Sequence, residues 1–206
     1  MIIIIDYGMG NLGSILNMLK KVGAKAKVSA NITDIHEADK LILPGVGAFD
    51  TGMKNLAELG LIDVLNEQVL DHKIPTLGVC LGMQLLTKSS EEGELPGLGW
   101  IDSQTVRFNF TEEHSSNLKI PHMGWNTVKV HRTGTLFHGL DDDARFYFVH
   151  SYHVVCHDPT DILTTTDHGY DFVSAVQRGN IMGAQFHPEK SHKFGLRLFK
   201  NFVELT

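Results

Sequence analysis

The most constraining feature of the sequence is a Gly-x-Cys-x-Gly stretch that joins an apolar run to a helix-like pattern. The apolar run begins at Ile74, and the pattern Leu-Gly-Met-Gln-Leu-Leu begins at Leu81, directly after Cys80. This order predicts a buried strand, a very tight turn and a helix, with Cys80 at the apex of the turn. Gly78 and Gly82 suit that turn because a Cβ at either position would clash with nearby backbone. Alone, the stretch is equally compatible with a thiol that only packs in a core strand.

A second stretch, Gln-Phe-His-Pro-Glu-Lys over residues 185–190, follows another apolar run. Residues two apart in an extended chain point the same way, so we expect His187 and Glu189 to lie on one side. A cysteine nucleophile needs a base, and that base needs a group that fixes its tautomer. Cys80, His187 and Glu189 supply these three roles, and the amide of Leu81 is placed to face an oxyanion. A core or capping histidine is the alternative for His187, since the chain has 12 histidines.

The composition of the chain disfavours several classes of protein. At 206 residues, with 42% hydrophobic and 20% charged residues, one globular domain over residues 1–206 is expected. The net charge of −6 disfavours nucleic acid as the main partner, because nucleic-acid-binding faces are basic. The two cysteines form no disulfide framework and suit a reducing cytoplasm. The N-terminus has no signal-peptide pattern, and no apolar run approaches the ~20 residues of a membrane span.

The first half of the chain alternates between strand-like and helix-like segments. Ile2 to Ile5 form a continuous β-branched run, which is typical of a strand buried on both faces. After a helix that Asn11 is expected to cap, further strands are predicted at Lys25–Val28, at Lys40–Leu43 and before Cys80. This order predicts an α/β fold with a mostly parallel central sheet flanked by helices, which binds ligands at the carboxyl ends of its strands.

Glycine-rich turns follow three of these strands, at the same predicted edge of the sheet. Gly8, Gly10 and Gly13 fit the spacing of a dinucleotide-binding loop. No acidic residue follows on the second strand, which disfavours a nucleotide or phosphate role but leaves it open. Gly45 and Gly47 form a loop whose amides can turn toward a ligand, although an ordinary strand-to-helix turn is the alternative. Together with the cysteine turn, these loops point to a single site.

The region from about residue 97 to residue 186 reads mostly as β-strands, which predicts an added antiparallel β region. The strand-like segments are Trp100–Phe108, Trp125–Val130, Arg145–His150, Tyr152–His157, Ile162–Thr166 and Phe172–Arg178. A final amphipathic helix is predicted over Phe194–Val203. No metal or cofactor is expected, because the remaining histidines lack ligand-like neighbours and read as surface residues, among them His36, His72, His114 and His192.

The stretches around Cys80 and His187 resemble the class I (triad) glutamine amidotransferases. This resemblance implies a flavodoxin-like fold and hydrolysis of the glutamine amide through a cysteine thioester, with Glu189 completing the triad. It implies an oxyanion site formed by Val46, Gly47 and Leu81. It also implies that glutamine is held by Gly45, Gln84, Glu92, His150, Ser151 and Tyr152.

Two further segments narrow the resemblance. Asp6–Asn11 and Pro121–Asn126 are similar to segments of the glutaminase subunits of imidazole glycerol phosphate synthases. The resemblance implies a cytoplasmic heterodimer in which a (β/α)8-barrel cyclase receives ammonia and makes imidazole glycerol phosphate and aminoimidazole carboxamide ribotide in histidine biosynthesis. It implies weak activity without the loaded partner, with the Pro44–Gly47 loop as the switch. The implied partner-facing residues are Pro121, Met123, Trp125, Tyr147 and Lys190.

Three alternatives stay open at this point. A paralogous subunit could supply ammonia for the synthesis of a surface sugar, and the motifs do not separate this function from histidine biosynthesis. A stand-alone Cys-His-Glu γ-glutamyl hydrolase is disfavoured by the compact length and by the segment around Trp125. A silent regulatory subunit is disfavoured because all three triad residues are present.

Overall fold

The structure is a computed structural model that describes residues 1–110, 118–132, 136–141 and 143–204. The strands are β1 Ile2–Ile5, β2 Ala26–Ser29, β3 Lys40–Gly45, β4 Thr76–Cys80, β5 Ser103–Arg107, β6 His122–Thr127, β7 Lys129–Val130, β8 Arg145–His150, β9 Tyr152–Cys156, β10 Ile162–Asp167, β11 Asp171–Arg178 and β12 Ile181–Ala184. The helices are α1 Leu12–Lys21, α2 Ile32–His36, α3 Phe49–Glu58, α4 Leu61–Asn66, α5 Leu81–Leu85 and α6 His192–Glu204. A π-helical turn, Glu67–Asp71, continues α4, and two short 3-10 turns cover Pro159–Asp161 and Pro188–Lys190.

One large mixed sheet organises the molecule. Its strands lie in the order β2-β1-β3-β4-β12-β11-β10-β7, and β9 joins it through β11 and carries β5. The first five strands are mutually parallel, whereas β11, β10 and β7 run antiparallel to their neighbours. A separate two-stranded antiparallel sheet pairs β6 with β8. The prediction of a mostly parallel α/β sheet with an added antiparallel region is therefore confirmed.

Two hydrophobic cores cover the two faces of this sheet. Ile2 and Ile4 belong to the core that contains α1 and α6, whereas Ile3 and Ile5 belong to the core that contains α3 and α4. Successive side chains of a strand point to opposite faces, so four consecutive isoleucines fill both cores at once. Within the described ranges, no helix is long and apolar enough to cross a membrane.

Several predicted boundaries differ from the structure. The strand predicted from Trp100 begins only at Ser103, and the buried Trp100 indole packs away from this strand, where it donates a hydrogen bond to the Asn66 side chain at 2.7 Å. The strand predicted over Trp125–Val130 is divided between β6 and β7. Asn11 precedes α1, but its side chain makes no capping hydrogen bond, so the predicted cap is wrong. The prediction for His114 lies outside the described residues.

A cluster of histidines is buried among aromatic rings next to the two-stranded sheet. His122 and His150 are joined by a hydrogen bond of 3.0 Å between Nδ1 and Nε2, and the ring of His168 stacks on His122 at 4.2 Å. His153 packs on Phe108 at 4.7 Å. Burial lowers the pKa of His122 to about 4, to which the neighbouring His168 contributes, and burial also lowers the pKa values of His150 and His153.

This cluster predicts that the protein loses stability in mild acid. The unfolded chain binds protons below the ordinary histidine pKa of 6.5, whereas folded His122 stays neutral until about pH 4, and the pKa values of His150 and His153 are lowered by burial as well. The free energy of unfolding should therefore fall as the pH drops below about 6.5, by about 1.4 kcal/mol per pH unit for each neutral histidine. Urea unfolding at about pH 7.5 and about pH 5 measures this slope. A His122→Phe variant should show a smaller slope, and a variant of the exposed His138, His138→Gln, should show the wild-type slope. Equal slopes in all three proteins would contradict the assignment.

Candidate active site

The turn between β4 and α5 has the strained geometry that the glycine spacing predicts. Cys80 adopts φ 53° and ψ −111°, a left-handed conformation that is rare for a residue with a side chain. A Cβ on Gly78 would lie 2.7 Å from the carbonyl oxygen of Gly82. A Cβ on Gly82 would lie 1.8 Å from the carbonyl oxygen of Leu43 in β3. The two glycines therefore allow α5 to begin directly against the sheet, with Cys80 at the corner.

The carboxyl ends of the parallel strands surround this corner. Cys80 ends β4, the loop with Val46 and Gly47 follows β3, and the segment that leads to His187 follows β12. These strands are hydrogen-bonded neighbours, so their loops lie together at one edge. A pocket of about 350 Å³ opens there, lined by Val46, Gly47, Cys80, Leu81, Gln84, Glu92, Pro121, Val149, His150, Ser151, Tyr152 and His187.

His187 and Glu189 form a buried pair on the β12 side of the pocket. Nδ1 of His187 lies 2.8 Å from Oε1 of Glu189, and the two side chains are 1% and 2% exposed. The pairing is as predicted, but the predicted reason is wrong, because residues 188–190 form a 3-10 turn and not an extended chain. The amide of His187 donates to the carbonyl of Tyr147 in β8 at 2.8 Å, which fixes the backbone of the histidine.

The charge state of His187 depends on both of its neighbours. Burial by itself would lower the pKa of the imidazole, but hydrogen bonding and charge from Cys80 and Glu189 outweigh burial and raise this pKa to about 10. The interaction with Cys80 is left to Nε2 of His187, which makes no hydrogen bond of normal length and angle within the described part of the chain. The imidazole is therefore protonated near neutral pH, and its Nε2 proton is available to a group bound in the pocket.

The three predicted oxyanion residues all line the pocket. Leu81 is the first residue of α5, so its amide has no partner within that helix. Val46 is 43% exposed, and Gly47 has a φ of +120°, which a residue with a side chain rarely adopts. Gly45 does not line the pocket: it is buried, and a Cβ there would lie 2.7 Å from the Tyr7 hydroxyl. Gly45 therefore has a packing role in this structure, and its predicted contact with the substrate stays a prediction.

The other predicted substrate residues line the pocket, but some of their polar atoms are engaged within the protein. Oε2 of Glu92 accepts from the amide of Phe49 at 2.9 Å, at the start of α3. The ring nitrogens of His150 contact His122 at 3.0 Å and the carbonyl of Tyr152 at 2.7 Å. His150 therefore shapes the wall of the pocket. Gln84, Ser151 and Tyr152 also border the pocket.

The predicted partner-facing residues lie on and beside the outer face of the two-stranded sheet. Met123 and Trp125 alternate with buried or half-buried neighbours along β6, and they are 63% and 45% exposed. Tyr147 lies directly opposite Trp125 in β8, and Nζ of Lys190 lies 5.7 Å from the centre of the Tyr147 ring. Pro121 borders the pocket itself, so this face is continuous with the site.

Two residues near the sulfur were not identified from the sequence. The hydroxyl of Tyr7 donates to the carbonyl of Pro44, and burial, together with the charge of Cys80, raises the pKa of Tyr7. Gln185 is fully buried, and its Nε2 lies 3.8 Å from Sγ of Cys80. A glutamine within an apolar run is a signal that could have identified Gln185. Among the described residues, no group of three or more histidine, cysteine, aspartate or glutamate side chains is arranged to hold a metal.

The fold and the site together define a class of enzymes, in which a Cys-His-Glu triad lies at the carboxyl edge of a parallel α/β sheet. The family model "Glutamine amidotransferase class-I" matches residues 3–205 of the chain. The fold alone also matches the structure of PurLQS from Thermotoga maritima, with a TM-score of 0.73, 17% identity, and coverage of 98% of this chain and 96% of that chain.

Two relatives identify a narrower family within this class of enzymes. The imidazole glycerol phosphate synthase subunit HisH 2 of Pseudomonas aeruginosa is 58% identical over 206 residues, which are 100% of both chains. A protein of the same name from Methanococcus maripaludis is 57% identical over 204 residues, which are 99% of each chain. The chain belongs to the HisH family of imidazole glycerol phosphate synthase subunits, within the class I glutamine amidotransferases.

Proposed function

We propose that Cys80, His187 and Glu189 carry out the glutamine hydrolysis of this family member, and that L-glutamine binds in the pocket beside them. The observation that carries the proposal is that Cys80, the first amide of α5 and a carboxylate-paired imidazole all face one pocket. The family places this activity in histidine biosynthesis, as the glutaminase subunit of imidazole glycerol phosphate synthase.

The geometry supports a two-step reaction through a thioester. The Cys80 sulfur attacks the carbonyl carbon of the glutamine side-chain amide, and the amides of Leu81 and Gly47 stabilise the oxyanion that forms. The protonated imidazole of His187 delivers its proton to the amide nitrogen, which leaves as ammonia. His187 then takes a proton from a water molecule, whose oxygen attacks the thioester and releases glutamate. Glu189 holds the imidazole in one orientation and stabilises its charge through both steps.

The far end of the pocket suits the α-amino and α-carboxyl groups of glutamine. Glu92 supplies a carboxylate that matches an ammonium group, even while one of its oxygens accepts from Phe49. Ser151 and Tyr152 supply further polar groups to the lining of the pocket. Gln84 borders the same pocket with its side-chain amide directed at Tyr152, so we assign it to the wall.

The ammonia is passed to a partner subunit, which we propose to be a (β/α)8-barrel cyclase in a heterodimer. Free ammonia would be protonated and lost in water, so the acceptor must lie close to Cys80. The outer face of β6 and β8 supports such docking, because it exposes Met123 and Trp125 beside the mouth of the pocket. Aromatic and methionine side chains are enriched in protein interfaces. The Pro44–Gly47 loop contributes Val46 and Gly47 to the lining of the pocket that contains Cys80, and we propose that the loaded partner switches this loop.

Titration of the chain with the purified barrel cyclase tests this docking face. Trp125→Ala should weaken the affinity at least about tenfold, because exposed tryptophans at interface centres carry much of the binding free energy. Leu70→Ala is the matched control: Leu70 is also an exposed apolar residue, 37% exposed, but it precedes β4 at the opposite edge of the sheet. Equal affinities of the two variants would contradict the assigned face. Glutamine turnover by the isolated chain that equals turnover by the complex would contradict the proposed switch.

A second candidate function has one observation in its favour. Both relatives described above carry the number 2 in their names, which distinguishes each from another subunit of the same name. The same glutaminase chemistry could therefore supply ammonia to an acceptor in surface-sugar synthesis. Expression in a strain that lacks its histidine-pathway glutaminase separates the two functions. Growth without histidine supports the first function, whereas no growth with intact glutaminase activity supports the second.

A further inference from the structure

Gln185 is a polar side chain that the proposed reaction does not use, although it reaches the nucleophile. It follows β12, is fully buried, and its backbone amide donates to the carbonyl of Ser174 at 2.9 Å. Its Nε2 donates a hydrogen bond to Sγ of Cys80 at 3.8 Å, a length that suits the large sulfur atom. A buried amide must satisfy its donors and acceptors, so this contact requires an explanation.

The orientation of the Gln185 amide follows from the groups around it. Nε2 of Gln84 lies 3.1 Å from the carbonyl oxygen of Tyr152, and a carbonyl can only accept, so this end of Gln84 is its NH2 group. The same NH2 group lies 3.1 Å from the other end of Gln185, which must therefore be the oxygen Oε1. The NH2 group of Gln185 is then the end that faces the sulfur.

The Tyr152 carbonyl, which fixes the orientation of the Gln84 amide, is itself held in place. Nδ1 of His150 donates to it at 2.7 Å, which leaves Nε2 of His150 as an acceptor for Nδ1 of His122 at 3.0 Å. Nε2 of His122 in turn accepts from the amide of Asn126 at 3.2 Å. Each contact in this chain joins a donor to an acceptor, and such a network of hydrogen bonds favours one arrangement of its members.

We propose that Gln185 is a positioning residue of the glutaminase reaction, which donates a hydrogen bond to the Cys80 sulfur and holds it in one rotamer as a thiolate. A hydrogen bond to an ionised acceptor is about twice as strong as one to a neutral acceptor, so the contact favours the thiolate over the thiol. The other titratable groups that act on the sulfur are His187 and Tyr7. The inference rests on the proposed role of Cys80 as the nucleophile.

The test measures the reactivity of the sulfur directly. The full chain is treated with iodoacetamide over a range of pH, and alkylation of Cys80 is followed by mass spectrometry. Gln185→Met keeps the side-chain volume but removes the donor, and it should move the pH profile of alkylation up by about one unit, which slows alkylation about tenfold on the acid side of the profile. Gln185→Glu should move the profile further, because a carboxylate beside a thiolate repels it.

Gln68→Glu is the matched control, since Gln68 is 1% exposed and donates to two histidines at the other edge of the sheet. It should leave the alkylation profile of Cys80 unchanged. In the complex, Gln185→Met should lower kcat for glutamine and leave KM within about twofold. Folded Gln185 variants with the wild-type profile would overturn the proposal.

A measurement on the unmodified chain covers the case in which neither variant folds. The side-chain NH2 resonances of Gln185 should shift as Cys80 ionises. No shift at Gln185 would overturn the inference. Because alkylation and these resonances report on the sulfur and not on turnover, a failure of the glutaminase function would be seen separately.

Discussion

Replacement of Cys80 by alanine should lower glutamine hydrolysis by the complex at least about a thousandfold, the loss typical when a nucleophile is removed. The variant has no atom that can form the thioester, and His187 then has no sulfur to act with. Glutamine should still bind, because the residues proposed to hold it are unchanged. Glutamate release measures the first effect and titration calorimetry the second.

Cys156→Ala is the control for this experiment. Cys156 is the other cysteine of the chain and lies in β9. Burial and the nearby Asp161 and Asp158 raise its pKa to about 12, so it is unreactive near neutral pH. Its removal should leave turnover within about twofold of wild type. Retained glutaminase activity in Cys80→Ala, or an equal loss in both variants, would refute the assigned nucleophile.

Replacement of Gly82 by alanine should destabilise the fold more than any surface change. The added Cβ would lie 1.8 Å from the carbonyl oxygen of Leu43, a backbone atom of a buried strand that cannot turn away as the end of a side chain could. Relief of this clash requires α5 to move off β3, which we expect to cost about 4 kcal/mol or more, a large part of the stability of a domain. Urea unfolding and alkylation of Cys80 would both report the change.

Gly13→Ala is the control for the backbone effect of the substitution. Gly13 also lies in a helix, α1, but no atom lies within 4 Å of its would-be Cβ. Alanine there should stabilise the protein by up to about 1 kcal/mol, because it favours the helix over the unfolded chain. If both variants had similar stabilities, close contact between α5 and β3 would not be the reason for a glycine at position 82.

The parts of the site that could be predicted from sequence are those that local geometry enforces. The glycines around Cys80 predict its turn because a tight corner leaves no room for a Cβ on either side. His187 and Glu189 are two residues apart, so their pairing did not depend on the rest of the fold, although the turn that joins them was misread. The parallel sheet was predicted from the alternation of strands and helices, because few other folds accommodate that order of elements.

The parts that could not be predicted depend on which distant atoms meet. Glu92 is 43 residues from the α3 amide that it caps, and no local pattern indicates that contact. The ring nitrogens of His150 could have faced glutamine, but the register of β6 against β8 places His122 beside them. The predicted capping hydrogen bond of Asn11 does not form, because a side chain can cap a helix only when the backbone before the helix has a suitable conformation.

The sequence by itself therefore determined the tight turn at Cys80 and the pairing of His187 with Glu189, because each follows from steric limits over a few consecutive residues. Only the tertiary structure decided what surrounds the sulfur. Gln185 is 105 residues from Cys80, and their contact exists because β12 lies beside β4 with Gly183 opposite Gly78. Register between strands is set by the packing of the whole core, and no short stretch of sequence contains that information.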